Sequence, residues 1–283
     1  MGIQATMRKM NEYRIQATAG VVIVGVGILL FSYSMIFQSE SAFYIGIVLG
    51  VLGVLLYRGA HPAYKKLYKD LFVEQPLRDN FDNVFYSSKG GFSLIEVNDL
   101  KLIATGTKTV TEDYIEASYK GVNFKMSDVR LMNMNIHKKY NDTIMFEGRI
   151  LMFDLPNKFV NTTKVYSDSF YHRWEGGKRN LITMESLEFN DAYDVFSEDA
   201  HDVFYLLTPN YMEQLLKLKK KYGKIAMSFE GNRVVVATGN YINNSFDKIN
   251  WTEKIDYMEE RARVQKDIED VKTIIDGICH NNI

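Results

Sequence analysis

Gly20 to Phe31 reads GVVIVGVGILLF, the centre of a 25-residue run, Ile15 to Ser39, without a charged side chain. As a helix rising about 1.5 Å per residue, that run is long enough for a hydrocarbon core about 30 Å thick. After Glu40 a second uncharged run, Ser41 to Tyr57, reads SAFYIGIVLGVLGVLLY, with Arg58 placed to snorkel to the interface. A buried hairpin in a soluble protein would need a surrounding apolar shell, and the adjacent sequence supplies none. A secretory leader also starts with basic residues, but this run is long for a leader core and no small-x-small cleavage site follows it. Two membrane spans, at about 15–37 and 41–57, are therefore expected within a hairpin over residues 1–58.

Charge flanking the spans sets the expected orientation. Arg8, Lys9 and Arg14 precede the pair, Arg58, Lys65, Lys66 and Lys69 follow it, and the short connection carries only Glu40. Basic residues stay on the cytoplasmic side, so a multi-pass protein of the cell (inner) membrane with both termini cytoplasmic is expected. The same basic excess is suited to anionic membrane lipid. Gly20 and Gly27 in the first span, with Gly46, Gly50 and Gly53 in the second, permit close helix approach. The Gly46–Gly50 spacing serves either packing of the two spans on each other or a homo-oligomer. Neither span contains an ionisable side chain, which makes a proton relay or ion path a poor fit.

Composition narrows the function further. The 283 residues carry 34 Lys and Arg against 35 Asp and Glu, which argues against a nucleic-acid binder working by bulk charge. Cys279 is the single cysteine, so an intramolecular disulfide and a four-cysteine zinc site are both excluded. Only four prolines argue against a mostly disordered chain.

Residues 59–84 read as an amphipathic juxtamembrane helix, with Tyr64, Leu67, Tyr68 and Leu71 on one face and Lys65, Lys66 and Lys69 largely on the other. Whether that face lies on the membrane or caps the next domain is open at this level. Residues 85–250 read as the cytoplasmic domain, and between about Val110 and Thr238 the period shifts to two. Strands are expected at Tyr114–Tyr119 and Val122–Met126 around a Lys120-Gly121 turn, and again at Val129–Met134, Ile144–Phe153 and Phe159–Tyr166. A helix should start at Thr208-Pro209 and stop at Gly223, followed by a hairpin of Ile225–Phe229 and Val234–Thr238 joined by Glu230 to Arg233. Short connections between neighbouring strands predict an α+β fold with a mainly antiparallel sheet and attached helices. The tail, 251–283, reads as an amphipathic helix. Ile255, Met258 and Ala262 form one apolar row, and Val264, Ile268, Val271, Ile275 and Ile278 form another with coiled-coil steps. That second row suits its own sheet or a partner helix, and Ile268, Val271, Ile275 and Ile278 are the candidate partner-binding residues.

Several stretches resemble a bacterial membrane-protein family called "domain of unknown function 3137". They are Asp113-Tyr-Ile, Gly121-Val-x-Phe and Ser127-Asp-Val; Phe146-x-Gly-Arg and Phe153-Asp; Glu188-Phe-Asn and Val195-Phe-Ser; Tyr205-Leu-Leu-Thr-Pro-Asn-Tyr-Met; and Ser228-Phe-x-Gly-Asn. The resemblance covers Glu112 to Thr238 and implies a domain preceded by two membrane helices. It implies no reaction, ligand or catalytic residue.

The chain offers little chemistry of its own. No His pair has metal-ligand spacing with an intervening Glu, no Walker loop follows Gly90-Gly91 or Gly176-Gly177, and no G-x-S-x-G elbow occurs. Cys279 and His280 are adjacent, and adjacent helical positions point about 100° apart, which is no dyad. Glu188, Asp191, Asp194, Glu198 and Asp199 are a carboxylate cluster that can serve hydrolysis or simply face water. In the loop Tyr171-His-Arg-Trp-Glu-Gly-Gly-Lys-Arg, the cations Arg173, Lys178 and Arg179 can hold a phosphate while Trp174 stacks on a ring or seats at a lipid interface. The sequons at Asn141, Asn161, Asn243 and Asn250 carry no weight in a cytoplasmic domain. No catalytic residue, metal or cofactor is expected. The expected function is a membrane-anchored cytoplasmic interaction or scaffold domain for a protein partner. The alternatives are a sensor of lipid headgroup or nucleotide through Arg173, Trp174, Lys178 and Arg179, and a carboxylate hydrolase.

Overall fold

A computed structural model describes residues 2–135, 142–167, 180–239 and 252–279, without the side chains of 156–158. The fold is α+β, and the chain divides into two compact units, Met1–Pro76 with Phe246–Gln265 and Leu77–Ser245 with Lys266–Ile283.

The first unit is built on two antiparallel helices, α1 (Ile3–Phe37) and α2 (Glu40–Tyr68). Gln38 closes α1 in the left-handed conformation, and Ser39 caps α2 by accepting a hydrogen bond from the Ala42 N–H. Both helices are long and apolar enough to cross a membrane. Their apolar side chains are mostly uncovered: Leu29 is 71% exposed, Ile36 73% and Leu55 63%. A water-soluble core helix buries such residues, so this pattern is consistent with membrane anchoring.

Small residues recur every seventh position on both helices. Gly20, Gly27 and Ser34 of α1 are buried, as are Gly46, Gly53 and Ala60 of α2. A Cβ on Gly27 would lie 2.8 Å from the Gly46 carbonyl oxygen, and one on Gly53 would lie 2.6 Å from that of Gly20. The backbones themselves are therefore in contact, and this approach is intramolecular. A Cβ on Gly50 would meet nothing within 4 Å. The working repeat is thus seven residues, not the Gly46–Gly50 spacing of four, as suits a shallow left-handed crossing.

Beyond the span α2 continues through Pro62 without a break, passes into a π-helical segment, Lys69–Glu74, and then α3 (Gln75–Asn80). The juxtamembrane helix is therefore an extension of the second span, not a separate element. Its aromatic face is buried in the first unit, at Tyr64, Tyr68, Leu71 and Phe72. Tyr68 donates to Glu260, and Arg263 donates to both the Tyr68 hydroxyl (2.8 Å) and Glu260 (2.5 Å). Burial and the Glu260 carboxylate together push the Tyr68 phenol well above its ordinary value.

The second unit holds a seven-stranded antiparallel sheet: β1 (Asp82–Lys89), β2 (Lys108–Tyr119), β3 (Val122–Asn133), β4 (Thr143–Ser167), β5 (Leu181–Ile182), β6 (Tyr193–Ser197) and β7 (Ile225–Gly239). The order is β1-β2-β3-β4-β6-β5, with β7 along the other side of β4. Lys120 (φ 49°) and Gly121 (φ 81°) form the expected tight turn between β2 and β3. Two expectations change. Ile144–Phe153 and Phe159–Tyr166 belong to one strand, β4, and Ile225–Phe229 and Val234–Thr238 belong to one strand, β7. The segment Glu230–Arg233 is no hairpin loop. It runs beside a stretch of β4 where the register shifts between Asp154 and Phe159 and again before Thr163, so both strands bend together and the ladder continues.

Short helices α4 (Leu94–Asp99), α5 (Leu187–Ala192) and α6 (Ala200–Leu206) surround the sheet. A full capping box, Ser93 with Glu96, fixes α4, and the backbone N–H of Ser93 holds the Glu96 carboxyl below its ordinary value. As expected, α7 (Pro209–Tyr222) starts on a Thr208 cap and ends at Gly223. The last helix, α8 (Tyr257–Cys279), buries Val264, Ile268, Val271, Ile275 and Ile278, while Met258 is exposed.

The hairpin repeat gives a contrast between neighbouring glycines. Gly53→Val should destabilise the full chain in detergent micelles by about 1–3 kcal/mol through overpacking. Gly50→Ala should be neutral or stabilising by up to about 1 kcal/mol, because the methyl group has room and alanine favours helix. Thermal unfolding of both variants in the same detergent checks the ordering.

Candidate functional site

One face of the sheet carries both the core and a cleft. Toward one end Val129, Leu131, Phe146, Ile150 and Ala237 pack with Val97, Leu102 and Ile103 from α4 and the segment after it. Toward the other end the inward positions become polar and the cover stops. An open cleft of ≈ 720 Å³ remains, lined in part by Glu116 and Ser118 of β2, Asn123 and Lys125 of β3, Asp154 of β4 and Arg233 of β7. Glu96 and Asp99 of α4 and Glu230 of β7 complete its acidic lining.

Cross-strand register orders these groups. Lys125 stands opposite Glu116, with their charged atoms 3.6 Å apart, and Ser118 donates to the Asn123 side-chain oxygen at 2.7 Å. Asp154 stands opposite Arg233. The cleft thus presents five carboxylates against two cations; Glu116, Lys125, Asp154, Glu230 and Arg233 stand on strands that cannot shift without breaking the ladder, and Glu96 and Asp99 stand on α4. Such a surface recognises a polar or basic ligand by hydrogen bonds and charge. It has no nucleophile paired with a base. Among the described residues no group of three His, Cys, Asp or Glu is placed to hold a metal ion.

The residues singled out in the sequence fall elsewhere. Arg173, Trp174, Lys178 and Arg179 lie outside the described residues, as do His137, His172 and His280. Glu188, Asp191, Glu198 and Asp199 are exposed, and Asp194 is half-buried. They are spread over α5, β6 and the start of α6, where Asp199 caps the helix by accepting from the His201 N–H. The cluster is thus spread along three elements, with its members mostly facing solvent. Ile268, Val271, Ile275 and Ile278 are buried within the second unit, so the seam expected to serve a partner is covered by the chain's own core. Lys221 pairs with Asp270 at 2.8 Å and the Tyr222 hydroxyl donates to the Asp270 carbonyl at 3.0 Å, pinning α7 to α8. Cys279 is buried and its thiol is pushed up to about 11 by burial, with Asp276 adding to the effect. It is a poor nucleophile.

None of the cleft residues was legible as a site. Most occupy polar positions of a strand, a pattern that any solvated sheet face produces, and Glu96 and Asp99 are ordinary polar positions of a short helix.

The motif residues, in contrast, do structural work. Asp128 and Arg149 face each other across β3 and β4 and form a two-point ion pair (2.7 and 3.2 Å), nearly buried. A Cβ on Gly148 would collide with the Thr238 carbonyl oxygen. The Tyr86 hydroxyl donates to Asp113 at 2.5 Å. Asn190 bonds both the N–H and the carbonyl of Met184. Thr208 caps α7, and Tyr211, two residues past Pro209, is buried in the core.

The stretch from the start of β4 to the end of α8, residues 144–279, matches the family model described as "Protein of unknown function (DUF3137)". Residues 144–279 are therefore similar to that family. The match reaches further toward the carboxyl end than the stretches noted in the sequence, taking in α8. It leaves out the Asp113, Gly121 and Ser127-Asp-Val stretches of β2 and β3. No curated protein matches the chain. Among solved structures, the crystal structure of the mycobacterial trehalose monomycolate transport factor A, TtfA, is 9% identical and covers 73% of this chain and 95% of that one, with a TM-score of 0.41. A likeness at that level carries no argument.

Two stability predictions separate these roles. Asp128→Ala leaves a buried guanidinium without its carboxylate and should cost about 3–5 kcal/mol. Tyr211→Phe should be neutral or stabilising by about 1 kcal/mol, because among the described residues the buried Tyr211 hydroxyl has no hydrogen-bond partner. Denaturant unfolding of the full chain in detergent measures both.

Proposed function

We propose that this chain is a membrane-anchored interaction protein. The two-helix hairpin anchors it in the cell membrane, and the DUF3137-like domain, held on the cytoplasmic side, takes a basic segment of a partner protein into its cleft. The observation that carries this reading is the half-covered sheet face. A surface of fixed polar pairs with an excess of carboxylates lies open beside a fully packed core. Such a face matches a lysine- or arginine-bearing segment through charge-assisted hydrogen bonds. The orientation follows from Arg8, Lys9, Arg14, Arg58, Lys65, Lys66 and Lys69, which flank the spans on the side of both termini.

Two measurements test it. The buried, weakly acidic Cys279 should resist thiol reagents, so cysteines can be introduced one at a time. In intact cells, Ser41→Cys should react with a membrane-impermeant maleimide and Glu253→Cys should not. The reverse pattern would refute the orientation. A photo-crosslinking residue at position 116 should yield a protein adduct of defined mass that disappears with Asp154→Lys plus Glu230→Lys, while the same probe at the exposed Glu213 should not. Equal adducts at both positions would refute the cleft as the docking face.

A further inference from the structure

The first unit contains a second concavity, of ≈ 250 Å³, formed by the start of α1, the end of α2 and the segment before α8. Its lining is Met7, Arg8, Met10, Asn11, Arg14, Tyr64, Lys254 and Ile255: three cations, no carboxylate and an apolar wall. Arg14 is the last charged residue before the uncharged run that begins at Ile15, so the concavity sits one helical turn or less from the start of the membrane span.

Arg14 is held in place by neutral groups. Its Nε and Nη2 donate to the Asn11 side-chain oxygen at 3.2 and 3.0 Å, and its Nη1 donates to the Thr252 carbonyl at 3.2 Å. A guanidinium has five N–H donors, so among the described residues these bonds orient the group while leaving two N–H and the charge unmatched. Among the described residues Arg14 and Lys254 make no ion pair. Arg8 makes one with Glu12, at 3.7 Å and with both side chains well exposed, a pairing of little strength. A structure that fixes an arginine with carbonyl oxygens, next to two more cations and beside methionine and isoleucine, is arranged for an anion carrying an apolar body.

We infer that Arg8, Arg14 and Lys254 form a binding site for the phosphate of an anionic phospholipid, with Met7, Met10 and Ile255 against the carbons next to the phosphate. The site rests on the membrane placement of α1 proposed above. It is separate from the sheet cleft and opposite to it in charge. It differs also from the loop containing Arg173, Lys178 and Arg179. Its chemistry favours phosphatidylglycerol or phosphatidic acid over phosphatidylcholine, whose own cation competes for the phosphate.

The test uses the full chain in dodecyl maltoside micelles, titrated with phosphatidylglycerol, phosphatidylcholine or sodium phosphate, with the unfolding midpoint as readout. Phosphatidylglycerol should raise the midpoint and phosphatidylcholine and sodium phosphate should not. Arg14→Gln plus Lys254→Gln should weaken the phosphatidylglycerol effect roughly thirtyfold in concentration, at about fivefold per cation removed. Lys254→Gln alone, at an exposed position, should give about fivefold and leave the lipid-free midpoint unchanged. An equal shift with phosphatidylcholine, a shift with sodium phosphate alone, or an undiminished response in both variants would overturn the site. Monodispersity of the full chain without detergent is read in parallel. If it holds, the membrane placement fails and the site with it. If the chain requires detergent and still ignores phosphatidylglycerol, the site alone fails.

Discussion

The paired run of β4 and β7 is the contact on which the second unit depends. β7 follows β4 from Gly148↔Gly239 to Tyr166↔Ala226, past two register shifts. Each strand alone is too long to lie flat, and the shared bend near Asp154–Phe159 lets one ladder serve two halves of a curled sheet. β3 pairs with the first half of β4 and β6 with the second. Gly148 is forced by this arrangement, since a side chain there would enter the backbone of β7. The Asp128–Arg149 pair then ties β3 to the same ladder from within. Core and cleft share a face because α4 and the segment after it cover only part of it.

The first unit rests on a different constraint. Its helices expose apolar side chains outward and bring bare backbone together inward, at Gly20, Gly27, Gly46 and Gly53. Two helices packed this closely gain dispersion contact that lipid tails cannot match, which is how helices associate where water provides no hydrophobic drive. The aromatic extension of α2 is held by polar contacts instead. There Tyr68, Glu260 and Arg263 form one hydrogen-bonded group, and each member satisfies the polarity that burial of the others would otherwise strand.

Much of this was legible in the sequence, and the reasons are local. Absence of charge over 25 residues marks a span irrespective of its neighbours. The Lys120-Gly121 turn and the Thr208-Pro209 start both act through a few consecutive residues, and the structure has both. Continuity that depends on a partner strand is not legible in the same way. Glu230–Arg233 looks like a turn, yet it is the bend of one strand because β4 bends beside it. The heptad row of α8 was ambiguous for the same reason: Val264, Ile268, Val271 and Ile275 specify an apolar seam without saying what covers it. The glycines were recognised as contact points, but the spacing that matters, seven, emerges only when both helices are laid together.

The sequence by itself determined the two apolar helices, the antiparallel α+β class, the helix caps and the lack of a recognisable catalytic motif, because each is encoded by neighbours along the chain. Tertiary structure alone decided that the F-x-G-R and S-D-V residues meet as a buried ion pair beside a glycine contact, and that α8 is part of the core. It also decided where the paired ends of β2 and β3 and the middle of β4 and β7 leave a cleft. Those features join residues far apart in the chain, and their positions follow from strand register and curl, which no stretch of sequence carries alone.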